Sequence, residues 1–548
     1  MAAASSDAIG EARADRGLSG DSVVVAAWTA ISRVTGFARV AVVAAVLGPS
    51  YLGNAYQATN LLPNLTFEFL TGSLIAALLV PALVRALAAG ERDAERLAGA
   101  FLAVTTAGFL AVTVLAIAAG PALLRLFTIG VPDAGVAADQ RAVGWALMAL
   151  LMPQVALYGV AAIGGAVQNA RGRFALPAGA PAIENLGVIA TLLAVLALYG
   201  PGLTIGGVPT GAVLLLGLGT TGAVLLHAAL QWWGAWRVGI RLVPRRGRRD
   251  PEMRRLLARM RPALGYAGLN SLRILGALVV ANKVEGGVVA LSLALAFYYL
   301  PVAVAARPVA TALLPRLSRH HQRRDLAAVR DESVGGARLV LFFVVPAAVA
   351  YAVLAVPIAE AAAMGEMARS GAVELVAVSL ASLAAGVIGE AAFVLATQVS
   401  YAVEDGRAPF RAMVVRTAVS LGLMAVALAT LDGAALLVAV GGAISVANLA
   451  GTAQLVRHLR RRLPAGGDQV ARPLRRTFAA ALVMAAPAYA AAELLERVLG
   501  GAVGDATALA AAAVLGGSVF VALQRSWAAP ELASVLAGLR GLRAGAAP

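Results

Sequence analysis

Long apolar stretches separated by short polar ones set the pattern of this chain. Apolar runs lie near residues 22–48, 54–88, 97–127, 142–169, 177–199 and 208–239. A second set follows near 262–284, 287–316, 334–360, 371–402, 408–431 and 434–457, and two more near 476–499 and 503–524. Each is about 20 residues or longer, the length a helix needs to cross ~30 Å of hydrocarbon. The pattern predicts an all-α polytopic membrane protein of about 14 transmembrane helices. A count of twelve is the nearest alternative, and 287–316 is the least regular segment.

Basic residues alternate between the connections. Those after the second, fourth, sixth, eighth, tenth and twelfth helices hold the arginines: Arg85, Arg92 and Arg96, then Arg171 and Arg173, then runs within 241–261, 316–330 and 457–476. The connections 48–54 and 200–210 hold no basic residue. Positive charge stays on the cytoplasmic side, so the alternation predicts a cell-membrane protein with both termini in the cytoplasm. The boundaries follow: a disordered cytoplasmic tail over 1–21, helices 1–6 over 22–240, a basic cytoplasmic linker over 241–261 and helices 7–12 over 262–460. A basic loop over 461–475, helices 13–14 over 476–524 and a cytoplasmic tail over 525–548 complete the chain. The first 21 residues carry Glu11, Arg13, Asp15 and Arg16 and lack the apolar core of a signal peptide.

The chain repeats itself. Ala170 to Pro177 and Ala402 to Pro409 share an Ala, an Arg and a Pro, with the same Ala-to-Pro spacing, after the fourth helix of each half. Arg33 precedes Gly36 by three residues, as Arg273 precedes Gly276, in the first helix of each half. Leu79-Val-Pro81 and Leu313-Leu-Pro315 end the second helices. Six helices per half is an even number, so the halves are expected to be parallel repeats with substrate bound between the two lobes.

Composition narrows the function. Apolar residues are 60% of 548 and charged residues 14%, with a mean hydropathy of +0.81, far from a soluble globular chain. The absence of cysteine excludes disulfides and thiolate metal sites, and the four histidines form no metal-binding pattern. No Walker-type glycine loop is present, so no cofactor or nucleotide is expected. The net charge of +16 resides mainly in short loops beside helices, which argues for topology and not for nucleic acid.

Ionisable groups inside the apolar segments are informative, because each costs roughly 2.5–3.5 kcal/mol to insert unless it faces a cavity or a partner. Arg33 and Arg39 stand six residues apart in the first helix, about 120° apart around it, compatible with lining one broad cavity. Two fixed guanidiniums suit a di-anion such as a pyrophosphate; alternatively Arg33 anchors the helix at the interface. Glu68 either neutralises Arg39 or titrates during transport. Arg273 and Arg307 are the basic candidates of the second half, Arg307 lying before Pro308 at an expected kink. Lys283 pairs with Glu285 at a helix end or serves in gating, and Glu390 is an isolated carboxyl suited to carrying a proton or ligating an ion. Trp232, Trp233 and Trp236 before Arg237 read as an interface belt.

These residues also resemble a family. Ser32-Arg-Val-Thr-Gly-Phe-Ala-Arg39, including Gly36, resembles the opening motif of the lipid II flippases of the MurJ/MviN type, and Leu62-Pro-Asn-Leu65 (Pro63, Asn64) resembles their PNLL segment. Gln168-Asn-Ala-Arg-Gly-Arg-Phe-Ala-Leu-Pro-Ala-Gly-Ala-Pro181, with Asn185, is similar to a further motif through Asn169, Arg173, Pro177 and Pro181. Tyr401-Ala-Val-Glu-Asp-Gly-Arg-Ala-Pro409 is similar to another through Tyr401, Asp405, Arg407 and Pro409. The resemblance covers about residues 22–460, with the last two helices matching the family's extra pair.

It implies the fold of the multidrug/oligosaccharidyl-lipid/polysaccharide exporters, two six-helix lobes in a V around a cationic cavity. It also implies alternating access that carries an undecaprenyl-pyrophosphate-linked peptidoglycan precursor to the outer leaflet, driven by membrane potential or an ion gradient. Arg33 and Arg39 would then contact the pyrophosphate, with membrane lipids and cell-wall synthesis proteins as partners. The sequence departs from the pattern at Val40, Asn54, Phe67, Glu68 and Ala296, positions where charge is expected; fewer cations and an added carboxylate weaken pyrophosphate binding. A cation-coupled drug or metabolite antiporter using Glu68 or Glu390, and a non-transporting cell-wall scaffold, are the alternatives on the same fold.

Overall fold

A computed structural model describes residues 2–71, 78–245, 251–369, 372–466 and 470–545, and side chains within 24–70, 78–245, 264–368, 372–466, 470–501 and 503–537. The chain divides into two compact units, Met1–Ser271 and Leu272–Pro548.

The first unit contains α1 (Ala2–Leu47), α2 (Tyr51–Thr71), α3 (Val80–Ala89), α4 (Glu91–Phe127), α5 (Ala134–Leu151), α6 (Gln154–Ala170), α7 (Ala175–Tyr199) and α8 (Thr210–Arg237). Helix α9 (Pro251–Ala281) continues into the second unit, which holds α10 (Gly287–Pro301), α11 (Arg307–Gln322), α12 (Leu326–Val353), α13 (Ala355–Ala362) and α14 (Glu366–Arg369). It is completed by α15 (Val373–Ala402), α16 (Arg407–Thr430), α17 (Gly433–Arg462), α18 (Ala471–Leu499), α19 (Gly501–Ser526) and α20 (Pro530–Gly545).

Among the described residues 13 helices are long and apolar enough to cross a membrane. The expected segment not among them is 54–88, of which α2 and α3 are described and residues 72–77 lie outside the described residues. The irregular segment 287–316 is one helical rod interrupted by a π-helical turn at Val302–Ala306, between Pro301 and Pro308. Proline supplies no N–H, so the widened turn accommodates backbone that a regular α-helix cannot pair. Residues 2–21, expected as a disordered tail, belong to α1. The C-terminal stretch expected as a tail carries α20, where Leu532 packs into a core with Phe342, Val345 and Phe520, and Glu531 pairs with Arg476 of α18.

The two units repeat one packing order. In the first, α4 packs on α6, α6 on α8 and α7 on α8; in the second, α12 packs on α15, α15 on α17 and α16 on α17. Small residues make these approaches possible. A Cβ on Gly164 would sit 2.7 Å from the backbone oxygen of Gln231, and one on Gly389 would sit 2.9 Å from Asn448 Cβ. Gly36 of α1 faces Asn185 of α7, and Gly276 of α9 faces Leu421 of α16, so the Arg-x-x-Gly spacing places a small residue at the same helix pair in both units. The repeat extends to the turns. The amides of Arg171, Gly172 and Arg173 bond the carbonyls of Val167, Asn169 and Gln168; those of Val403, Glu404 and Asp405 bond the carbonyls of Val399, Tyr401 and Ser400. Both turns need one left-handed residue, Gly172 (φ 69°) and Glu404 (φ 59°).

Large apolar side chains remain exposed along the helices, including Val114, Leu198, Leu218, Val426 and Val514, as expected where the solvent is lipid. The arginine-rich connections are instead held by ion pairs. Arg171 pairs with Glu91, and Arg245 lies 3.3 Å from Glu95, which also accepts the Arg241 amide at 3.0 Å. Arg237 stacks over Trp233 at 5.0 Å, the cation–π contact of an interface belt.

Candidate functional site

Four helices of the first unit bring polar groups together in an otherwise apolar interior. Glu184 of α7 is the hub. Its Oε2 lies 2.7 Å from His227 Nδ1 of α8, its Oε1 accepts from the Tyr158 hydroxyl of α6 at 3.0 Å, and Arg39 Nη1 of α1 lies 3.8 Å from Oε1. The Tyr56 hydroxyl of α2 bonds Thr220 of α8 at 2.8 Å beside them. Glu184 and His227 are nearly covered, with side-chain exposures of 9% and 12%, whereas Arg39 retains 26%. The cluster therefore has a closed anionic floor and a cation at its open edge. Asn185 holds α7 to α1, donating to Ser32 O at 3.3 Å and Thr35 Oγ1 at 3.2 Å.

The second unit has its own cluster. Arg416 of α16, 1% exposed, bonds Glu390 of α15 through its terminal nitrogen and Asn448 Oδ1 of α17 through Nε at 2.7 Å. Tyr298 of α10 donates to Glu390 at 3.2 Å, and Arg273 of α9 donates to Asn448 Oδ1 at 3.4 Å. The Arg416 guanidinium lies 4.7 Å over the Phe393 ring. Gly451 packs so closely on α16 that a methyl group added there would lie 3.2 Å from Arg416 Cβ.

The expected residues are thus distributed. Arg39 is in the first cluster, and the carboxylate beside it is Glu184 of α7. Arg33 and Glu68 are exposed on α1 and α2. Arg273, 3% exposed, and Glu390 belong to the second cluster, so Glu390 is not isolated. Arg307 is exposed at the start of α11, just after the π-helical turn. Lys283 bonds Asp432 at 2.8 Å and the carbonyls of Leu428 and Leu431 at 3.0 Å, closing the C-terminal end of α16.

The motif residues fall mainly at turns and helix ends. Asp405 Oδ1 accepts the amides of Arg407 at 3.2 Å and Ala408 at 3.1 Å, capping α16, while Oδ2 takes His458 at 2.8 Å and Arg462 at 3.1 Å from α17. Asn169 supplies a turn carbonyl before Arg173, and Pro177, Pro181 and Pro409 lie in the helices that follow the two turns. Pro63 is buried within α2, while Asn64 and Tyr401 are exposed.

Glu184, His227, Tyr158, Arg416 and Asn448 were not singled out from sequence. An ionisable residue deep within the apolar run of each of α7 (Glu184), α8 (His227) and α16 (Arg416) is the available signal, the same one that marks Glu390.

Comparison with known proteins gives further findings of three kinds. The family model described as lipid II flippase MurJ matches residues 43–510, which begins after Arg33 and Arg39. A probable lipid II flippase MurJ of Rhizobium tropici is 27% identical over 408 residues, covering 73% of this chain and 74% of that protein. The lipid II flippase MurJ of Burkholderia cenocepacia is 25% identical over 399 residues, covering 71% and 74%. Among solved structures, a lipid II flippase MurJ in an inward closed conformation matches with a TM-score of 0.72 at 16% identity, covering 92% of this chain and 99% of that one. An inward-facing multidrug resistance transporter of the MATE family and MOP superfamily matches with a TM-score of 0.64 at 13% identity, covering 80% and 97%.

Proposed function

This chain belongs to the lipid II flippase MurJ family, and from that premise we propose that Arg39 receives the pyrophosphate of lipid II as its headgroup crosses from the cytoplasmic to the outer leaflet. The protein is a multi-pass transporter of the bacterial inner membrane and not an enzyme. Its substrate is a lipid-linked peptidoglycan precursor, handled in a setting of membrane lipids.

One observation carries the assignment to Arg39. Its guanidinium is held near Glu184 without being consumed by it, because His227 and Tyr158 already satisfy that carboxylate and the Arg39 contact is as long as 3.8 Å. A planar, permanently charged fork that is positioned yet partly open suits a bidentate phosphate contact. Arg273 offers no such opening at 3% exposure, and its place in the second cluster makes it a packing group. Arg33, exposed on the same helix, is assigned an outer contact to the headgroup. The arginine-rich connections put both termini on the cytoplasmic side in this reading, where their charge also suits docking of cell-wall synthesis proteins.

The test is complementation of a strain depleted of its own lipid II flippase. The wild-type chain restores growth, R39K restores it in part, and R39A does not, although it reaches the membrane at the wild-type level. Normal growth on R39A would overturn the role given to Arg39.

A further inference from the structure

The first cluster carries an internal charge balance that lipid II must disturb. With a neutral imidazole, the Arg39 cation cancels the Glu184 anion. A pyrophosphate diester brings two negative charges to Arg39, close to a carboxylate that is 9% exposed and has no room to leave. Among the described residues in contact with Glu184, the group with a ring nitrogen that can accept a further proton is His227, 2.7 Å away on α8. Resting on the assignment of Arg39 above, we infer that the Glu184–His227 dyad is a proton-binding site, taking up one proton when lipid II binds and returning it on release.

The proton has a defined place. His227 Nδ1–H donates to Glu184 Oε2 in the neutral tautomer, so Nε2 is the basic atom and receives the proton. The imidazolium that forms keeps its bond to Glu184 and raises the cluster from neutral to a net charge of +1. Arg39 is then released from its attraction to Glu184 and faces the incoming phosphates with its full charge. On deprotonation the carboxylate again competes for Arg39, which favours release.

The surroundings leave this exchange to the dyad. Helix α8 packs on α5, α6 and α7. From α6 comes Tyr158 and from α7 Glu184, with Arg39 of α1 and Tyr56 of α2 beside them. The ionisable residues of α5 lie elsewhere: Arg141 bonds Thr128 at 3.1 Å, and Asp139 abuts Gly206 in the loop before α8. Tyrosines and arginine do not change charge near pH 7.

The experiment is calorimetric titration of lipid II into the purified full-length protein, in buffers of different ionisation enthalpy, between about pH 6 and pH 8. The pyrophosphate diester is fully ionised throughout, so a proton taken up there belongs to the protein. The expected result is uptake of up to one proton per lipid II, with affinity rising up to about tenfold per unit fall in pH. H227Q, which keeps a donor toward Glu184, is expected to bind lipid II without proton uptake and with pH-independent affinity, and E184Q is expected to bind more tightly than wild type at the upper pH. Binding without proton uptake in the wild-type protein overturns the inference and leaves the flippase reading standing, and undiminished uptake in H227Q does the same. Absence of lipid II binding at every pH overturns both.

Discussion

Arg416 and Glu390 are bonded in the interior of the second unit, and they stand 232 residues after Glu184 and Tyr158, which are bonded in the first. The same helix pair of each repeat therefore holds a buried polar contact, with its chemistry exchanged. On α7 the residue is a carboxylate and on α16 a guanidinium; on α6 it is a phenol and on α15 a carboxylate. One unit keeps an anion ready to act on Arg39, while the other seals its anion with an arginine that is 1% exposed.

That seal has a measurable consequence. R416A leaves Glu390 buried without its cation and is expected to lower stability by about 3–5 kcal/mol. The double variant R416M/E390M removes both charges and is expected to lose much less. Thermal unfolding of purified protein in detergent compares the two. Equal losses would show that the charge relationship is not what holds α15 to α16.

Asp405 predicts a pH dependence. Burial acts to raise its pKa, but the hydrogen bond from His458, the Ala408 amide and the Arg462 guanidinium outweigh it and hold the carboxyl below the ordinary 3.8. A depressed carboxyl contributes stability above its unfolded pKa and loses it as pH falls through the folded value. D405N is therefore expected to be less stable than wild type at neutral pH by about 1–2 kcal/mol. The difference between them should hold steady down to about pH 4 and close below it, as followed by unfolding midpoints across acidic pH. A difference that grows on acidification would contradict the sign.

The two matching turns predict opposite effects of glycine. Glu404 adopts φ 59°, where an L side chain is disfavoured, so E404G is expected to stabilise by about 0.5–1 kcal/mol. Gly172 adopts φ 69° with nothing within 4 Å of a Cβ, so G172A suffers only the backbone penalty, about 1 kcal/mol. Chemical unfolding of the pair reads both signs, and a stabilised G172A would reject the equivalence of the turns.

Gly389 and Gly442 separate helix propensity from packing. A methyl at Gly389 would lie 2.9 Å from Asn448 Cβ and 3.0 Å from its backbone carbon, so G389A is expected to cost about 1–3 kcal/mol. At Gly442 nothing lies within 4 Å, and G442A is expected to stabilise by up to about 1 kcal/mol through helix propensity. The fraction surviving heating as a monodisperse species in detergent ranks them, and G389A matching G442A would refute the close approach of α15 to α17.

Much of the fold was legible because hydrocarbon thickness imposes a length on every spanning segment. Apart from 54–88, the apolar runs map onto the long helices from α1 to α19, and the motif turns before Pro177 and Pro409 carry their own hydrogen-bond patterns locally. The helix α20 is not legible in the sequence because it is short and mixed, and only Leu532 and Glu531 meeting α12 and α18 give it a place. The π-helical turn before Arg307 likewise needed the surrounding packing to select it over a kink.

By itself the sequence determined the solvent, the number and extent of most spanning helices and the internal repeat. Each of these depends on neighbours along the chain or on hydrophobic length, and both are written in residue order. Tertiary structure alone decided which buried charge meets which. Arg39, Tyr158, Glu184 and His227 come from four helices spread over nearly two hundred positions, and Arg416 finds Glu390 and not a ligand only because α15, α16 and α17 pack at glycine distance. A charge in a low-dielectric interior takes its properties from whatever lies within a few ångströms, and that neighbour is set by helix packing and not by sequence proximity.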